Sequence, residues 1–379
     1  MSNTLSVYDP LFYANEALIQ LEKALGMAGR VHRGYDKAPQ AKGSVISIRK
    51  PSTFTVADAP ATAQDITASE VQVTLDNWRE VKFKLTDKEL SATQEDIINE
   101  HIRPMAYALA DDIDQKLCSL YKYVPWNVTV SSPAAVADLT AAWRTMFNNR
   151  VPMDEVMLHM MLSGTVTEEL MNLAAFSQWQ GAGQQGIETM MRGGLGRKYG
   201  FGVFSNQNVQ THTAGVSADA TGTLNGNHAI KATTVSVAAI TTAGTVKAGD
   251  SFVIAGNDQR YTFTADGTAA SGTLAATAIS PPLVQAYSSG DVVTIDLAAS
   301  SYEANLAFHR NAFCLAMAPL SDLGGQLGAK IATVADPKTS LALRSRLYYV
   351  GNSSEVHVAL DVLFGFKTLD PNLAVRLRN

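Results

Sequence analysis

The segment Asn305-Leu-Ala-Phe-His-Arg-Asn-Ala-Phe-Cys-Leu-Ala-Met-Ala-Pro-Leu320 decides how the rest of the chain is read. From Ala312 to Ala318 every residue is apolar, and Pro319 closes the run. That pattern predicts a strand buried on both faces. His309-Arg310 falls in the strand, either as a satisfied structural pair or as a pair facing an interface. Just upstream the composition changes abruptly, and the chain before the change looks like the partner of the chain after it. The pattern implies one folded body with a second domain inserted ahead of this strand. The host segments 194–206 and 305–318 are then expected to pair, because an insertion leaves its host's strands adjacent.

The block 211–300 is dense in Thr, Ala, Gly and Ser and poor in charge. Strand-like runs occur at Thr234-Val-Ser-Val, Ser251-Phe-Val-Ile-Ala, Arg260-Tyr-Thr-Phe-Thr and Asp291–Leu297. Turn signals separate them at Gly249-Asp250, Gly256-Asn257, Asp266-Gly267 and Gly290-Asp291. Short strands with such punctuation predict a small all-β sandwich or barrel. A generic immunoglobulin-like module is the alternative within this block.

Ahead of the block, residues 9–26 predict an amphipathic helix with Leu11, Leu18, Leu21 and Leu25 on one face and Gly26 at its end. Residues 1–50 carry seven Lys/Arg against four acids. This basic leader is either a solvated arm or one that docks on a neighbour. Alternation at Val45–Ile48, Val71–Leu75 and Val81–Leu85 predicts strands. The long polar tip between the first two makes an extended hairpin unable to bury itself. It is either a surface loop or an arm lying on another chain.

Residues 86–123 predict a helical region. Ile98, Ile102, Met105, Leu109, Ile113, Leu117 and Leu120 draw one stripe, and Pro104 starts or kinks the main helix. Eight carboxylates against four cations make the region acidic. Asp111, Asp112 and Asp114 lack a histidine or further ligand at helical spacing, so a solvated or interface face is expected rather than a metal or acid–base site. A basic leader meeting this acidic helix, in the same or an adjacent subunit, would steer association. Residues 133–148 and 165–178 predict helices around a buried strand at Val156–Leu162. The methionines from Met153 to Met161 read as core filler.

Three segments together resemble tailed-bacteriophage major capsid proteins: 305–316, 361–377 and Gly194–Asn206. Lys247–Gly256 is similar to the inserted β domain of coat proteins of the short-tailed Salmonella phage type. The resemblance implies an α+β fold of the Hong Kong 97 type. Its parts would be an N-terminal arm (1–43), an extended β-hairpin loop (44–85), and the spine helix with the first part of the core (86–210). The inserted all-β domain (211–300) and the rest of the core (301–379) follow, the core forming peripheral and axial domains. The implied function is a structural major capsid protein that self-assembles into the icosahedral shell around double-stranded DNA. A non-viral compartment shell is a close variant. The implied partners are many copies of itself, scaffolding and portal proteins, and packaged DNA bound without sequence specificity. The implied place is the virion capsid, assembled in the host cytoplasm. Arg30, Arg33, Phe54, Val56, Asp111, Asp112 and Asp114 are the candidate inter-subunit contact residues. Some relatives join a hairpin lysine to a neighbour's asparagine; residues 51–75 here contain no lysine, so an uncross-linked shell is expected.

Composition agrees with this reading and narrows the others. The chain has 379 residues, enough for two domains, is 46% hydrophobic, and carries a net charge of −5 that does not advertise nucleic-acid binding. Cys118 and Cys314 sit in apolar surroundings and are expected buried and reduced. No secretory leader or membrane span is expected. No G-x-S-x-G, H-E-x-x-H, Walker loop or C-x-x-C occurs, and the seven histidines are scattered. No enzyme activity, cofactor or metal is therefore expected. Gly181-Ala-Gly-Gln-Gln-Gly186 is a literal G-x-G-x-x-G, but it follows a helix-like segment rather than a strand. A nucleotide-dependent enzyme using that loop remains the alternative from another class. A tail or adhesion protein using the β module is the third reading.

Overall fold

The segment 305–320 forms two strands rather than one. Tyr302–His309 ends in a short 3-10 turn, Arg310–Ala312, before Phe313–Ala318 begins. The cause is local: Asn311 donates its backbone N–H to the His309 ring at 3.2 Å, and a capped turn leaves the strand ladder. The apolar reading itself holds, since all six residues of Phe313–Ala318 are buried. The computed structural model describes residues 10–33, 42–50, 56, 58–59, 63, 69–86, 101–178, 189–191, 193–215, 221–240, 244–296, 301–321, 329–335 and 341–379. The chain divides close to this turn. One compact unit comprises Met1–Asp114 with Cys314–Leu369, and the other Gln115–Phe313 with Asp370–Asn379.

The first unit is organised around the long strand Glu355–Thr368. Ala342–Val350 pairs with it antiparallel on one side, and Asn77–Thr86 pairs on the other with ten residues in register. Phe313–Ala318 and Lys330–Ala335 complete the sheet. The hairpin strands Val45–Lys50 and Ser69–Thr74 form a separate two-stranded sheet. Its base is not left unburied, as the alternation alone implied. Val73 and Leu75 enter a small core with Cys314, Ala316, Ala318 and Leu363, and Ile46 and Ile48 pack against it. The close approach requires Gly365: a Cβ there would lie 2.3 Å from the Thr74 carbonyl oxygen.

The helix Pro10–Ala24 buries Tyr13, Ala14, Ala17, Leu18 and Leu21. The acidic region contributes a described helix, Arg103–Cys118, with Pro104 as its second residue and residues 101–102 in a π-helical turn directly ahead of it. Its predicted stripe is buried at Ile102, Met105, Leu109, Ile113 and Leu117. Ile98 lies outside the described residues.

In the second unit a mixed sheet runs in the order Asn127–Thr129, Ala374–Arg378, Tyr302–His309, Leu158–Leu162, Phe201–Ser205, Arg197–Lys198. The expected direct pairing of 194–206 with 305–318 does not form. Leu158–Leu162 lies between them, parallel to Phe201–Ser205 and antiparallel to Tyr302–His309. Both host strands instead use one central strand, apolar apart from the half-buried His159, the arrangement that pairs its two edges. The helices Val136–Asn148 and Gly164–Met171 cover the sheet through Leu139, Ala142, Met146, Val166 and Leu170. Of the methionines read as core filler, Met160 and Met161 are buried, whereas Met153 and Met157 are half-buried, Met153 packing against the core from its margin.

Residues 221–296 fold into an antiparallel β structure with its own core. Six strands close a ring in the order Thr234–Ala238, Thr221–Leu224, Val292–Asp296, Ser251–Ile254, Arg260–Phe263, Thr273–Ser280, the last pairing back to the first. It is therefore a barrel, whose ring pairs edges a sandwich would leave, with Gly267–Ala270 and Thr245–Val246 branching from Thr273–Ser280. Phe252, Tyr261, Phe263, Val235, Val237 and Ile295 fill it.

Candidate functional site

The residues singled out from sequence fall into different environments. Asp111, Asp112 and Asp114 do not form one solvated face. Asp111 is exposed, and Asp112 reaches Arg79 at 3.2 Å. Asp114 is buried at 3% exposure, against the expectation for a helix-surface carboxylate. It accepts the backbone N–H groups of Gly26, Met27 and Ala28 at 2.6, 3.3 and 3.0 Å. These are backbone donors in the turn just past the helix Pro10–Ala24, and a carboxylate is an acceptor that can take several at once. Asp114 therefore anchors the leader within its own chain.

Arg30 donates to the Gly26 carbonyl at 2.8 Å beside this anchor, and burial holds its pKa below the usual arginine range, partly offset by Asp114. Arg33 is half-buried. The contact between the leader and the Arg103–Cys118 helix also includes an ion pair of inverted sense, the acid on the leader: Glu16 to Arg103 at 3.2 Å. Val56, at the hairpin tip, is fully exposed. Phe54 lies outside the described residues, as does the glycine loop 181–186.

A buried polar hub joins the barrel to the mixed sheet of the second unit. His212 is 3% exposed and stands between Tyr121 and Asp250, with Nδ1 3.1 Å from the Tyr121 hydroxyl and Nε2 2.9 Å from Asp250 Oδ1. The other Asp250 oxygen accepts the backbone N–H of Gly215 and of Lys247. Arg376, with no exposed surface, donates to the Gly249 carbonyl at 2.5 Å and to the Tyr302 hydroxyl at 3.2 Å. Gly249 takes φ +112°, and a Cβ would meet the His212 ring at 2.9 Å, so only glycine fits there. Asn127 adds a bond to Ser251 at 2.6 Å, and Arg260 pairs with Asp296.

An Asp–His–hydroxyl chain invites a catalytic reading. The chemistry points the other way. Burial pushes the Tyr121 pKa up to about 12, helped by the neighbouring Tyr302 and Asp250, so the hydroxyl stays protonated and is a poor nucleophile. Both His212 nitrogens are occupied. With Tyr121 donating to Nδ1, Nε2–H donates to Asp250, and no lone pair is left for a substrate proton. Burial likewise depresses the Arg376 pKa, and its Nε and Nη2 have no hydrogen-bond partner among the described residues. The hub is a fastening. Among the described residues no group of three or more His, Cys, Asp or Glu could hold a metal ion. Cys118 and Cys314 are both buried and form no disulfide. No described helix is long and apolar enough to cross a membrane.

Sequence reading missed the hub because its members lie in different strands and loops. The available signal was a single charged residue in an apolar terminal run, Ala374-Val-Arg-Leu377, since a buried charge must find partners.

His309 is also buried, at 4% exposure, and the ring nitrogen Nδ1 accepts from Asn311. This is the structural alternative for that residue. Burial lowers its pKa below 6.5, with Asp154 opposing. The unfolded chain therefore binds the proton first. Stability from this group is fully present above about pH 6.5 and declines as pH falls through that value toward the depressed native pKa. Urea midpoints measured from pH 7.5 to 5.5 should fall, and His309→Gln, which keeps an acceptor without a titrating ring, should flatten part of that slope. Identical slopes in both proteins would show that His309 does not titrate on unfolding.

No protein-family model and no curated protein matches the chain. Among solved structures it is similar to a chain from Mycobacterium phage Che8, 13% identical over 89% of this chain and 85% of the other, with TM-score 0.46. A chain from the capsid of the cyanophage P-SCSP1u is 11% identical over 93% and 88%, with TM-score 0.48. A chain from the mature capsid of bacteriophage PhiM1 is 10% identical over 93% and 86%, with TM-score 0.48.

Proposed function

We propose that the chain is a structural subunit of the Hong Kong 97 type that assembles in many copies into the closed icosahedral shell of a tailed bacteriophage. The observation that carries the reading is the hairpin Val45–Lys50 with Ser69–Thr74. It forms a sheet of two strands whose base, through Ile46, Ile48, Val73 and Leu75, packs in a core. Val45 is half exposed and Val56, at the tip, fully so. A long two-stranded ribbon is marginal alone in water and gains its remaining burial from another molecule. The three sequence segments resembling capsid proteins support the same conclusion. In this reading residues 211–300 are an inserted β domain, fastened to its host through Arg376 and Asp250. Scaffolding and portal proteins, packaged double-stranded DNA and assembly in the host cytoplasm follow from the resemblance.

Alone or with its scaffold, the purified protein should give closed particles of hundreds of copies by electron microscopy and light scattering. Only monomers or dimers under all assembly conditions would count decisively against the shell. Elongated fibres would favour the tail or adhesion reading.

A further inference from the structure

The helix Val136–Asn148 turns Leu139, Ala142 and Met146 into the core. A helix with one buried face ordinarily sets polar residues on the other. This one instead presents Trp143 and Phe147, 38% and 57% exposed, one turn apart and stacked with ring centroids 5.2 Å apart at 16°. Beside them is the hairpin turn between Arg197–Lys198 and Phe201–Ser205. A Cβ on Gly200 would stand 4.0 Å from the Trp143 indole nitrogen. The preceding Tyr199 is 43% exposed and packs its ring edge to Phe176 at 6.5 Å. On the other side of Phe147 is a surface cavity of about 470 Å³ lined by Phe147, Asn148, Arg150, Val151 and Met153.

Two further features mark this face. Tyr199 and Arg150 hold φ of +51° and +56°, a region that costs a bulky L residue of order 1 kcal/mol or more and persists where the surroundings impose it. The charges are also one-sided. Arg144, Arg150 and Arg197 are exposed and Lys198 half-buried, against the exposed carboxylates Asp154 and Glu155 next to the cavity. The face is thus net positive on a chain of net charge −5.

We propose that this aromatic and basic face docks on a second copy of the chain, at a different, acidic surface of that copy. Tryptophan, tyrosine and arginine are the residues enriched at the centres of interfaces, and a cavity beside them can seat a partner's apolar side chain. Charge selects the occupant. Two such faces meeting each other would bring like charges together, whereas the charges outside the face sum to a net negative value. The contact is therefore head-to-tail, and head-to-tail contacts close into rings when the rotation permits. Asp154 and Glu155 beside the cavity disfavour a polyanion as occupant. The inference rests on the shell reading and deepens it, by naming one surface that builds the ring.

The test compares the full chain with Trp143→Ala/Phe147→Ala and with Arg144→Glu/Arg197→Glu, by sedimentation velocity and light scattering over a salt series. Both variants should keep the circular dichroism and urea midpoint of the unassembled subunit while assembly slows at least tenfold. The charge-reversed pair keeps the test open if the aromatic pair fails to fold. Shells formed by both variants at the wild-type rate would overturn the inference and leave the shell reading standing. Small wild-type oligomers lost in the variants would uphold the docking face while refuting the shell. A wild type that never self-associates would refute both. A fluorescent single-stranded oligonucleotide bound by the wild type and released in the variants would replace the second copy with nucleic acid as the occupant.

Discussion

Replacing Asp361 by alanine should destabilise the unassembled subunit by about 3–5 kcal/mol, the usual penalty for removing one partner of a buried ion pair. Asp361 has no exposed surface. Arg344 grips it with two bonds, Nε to Oδ1 at 3.0 Å and Nη2 to Oδ2 at 2.6 Å. Trp78 donates its indole N–H to Oδ2 at 2.9 Å, and Arg346, itself paired with Glu80 at 2.8 Å, approaches the same oxygen at 3.3 Å. The Arg344 guanidinium also lies 5.8 Å from the centroid of the Trp78 ring. Alanine would leave an arginine that is 8% exposed without its carboxylate, between strands that pair in register. Asp361→Asn keeps an acceptor for Trp78 and should cost less. Removing both charges at once, as Arg344→Met/Asp361→Leu, should cost less than alanine at Asp361 alone, because no ion is then stranded. Urea unfolding followed by tryptophan fluorescence reads the effect, with Trp78 in direct contact with the altered group. An Asp361→Ala midpoint equal to wild type would show that the pair contributes nothing net.

Asp114→Ala should cost a comparable amount, about 3–5 kcal/mol. Three backbone donors lose a charged acceptor, and each such loss is worth roughly 1.5–3 kcal/mol before water is readmitted. Two of those bonds are in fully buried surroundings. Asp114→Asn offers one acceptor oxygen and should recover part of the loss. The unassembled subunit is the place to measure, because the defect is internal: hydrogen exchange at Met27 and Ala28 should accelerate in the variant. Unchanged exchange and an unchanged urea midpoint, with assembly alone impaired, would return Asp114 to the role of an inter-subunit contact.

These two carboxylates show where sequence reading ends. Asp114 shares a helix with the exposed Asp111 and differs from it only by direction around the axis. The apolar stripe locates that direction approximately: Asp114 follows Ile113 and precedes Leu117 by three, so it borders the stripe. Composition counted it with its neighbours as surface acid. Asp361 sits in an apolar strand run, Val356–Phe364, and that placement alone requires a partner. Which partner was not legible, since Arg344 reaches it across the sheet and Trp78 from a strand 283 residues away.

What depends on short-range periodicity and on turn chemistry was legible in the order of the residues alone. The buried stripe from Ile102 to Leu117, the hairpin strands, four barrel strands and the apolar run 312–318 are all properties of residues within a few positions of each other. The burial of the cysteines was legible in the same way, because their neighbours are apolar. Folding of the whole chain set the division of 305–320 into two strands of different units and the placement of Leu158–Leu162 between the host strands. It alone decided the closure of the barrel and the joining of Tyr121, His212, Asp250 and Arg376. Pairing partners and buried acceptors are chosen by global packing, where any of several similar apolar strands satisfies the same local pattern. A buried charge, by contrast, tolerates only the arrangement that supplies its hydrogen bonds.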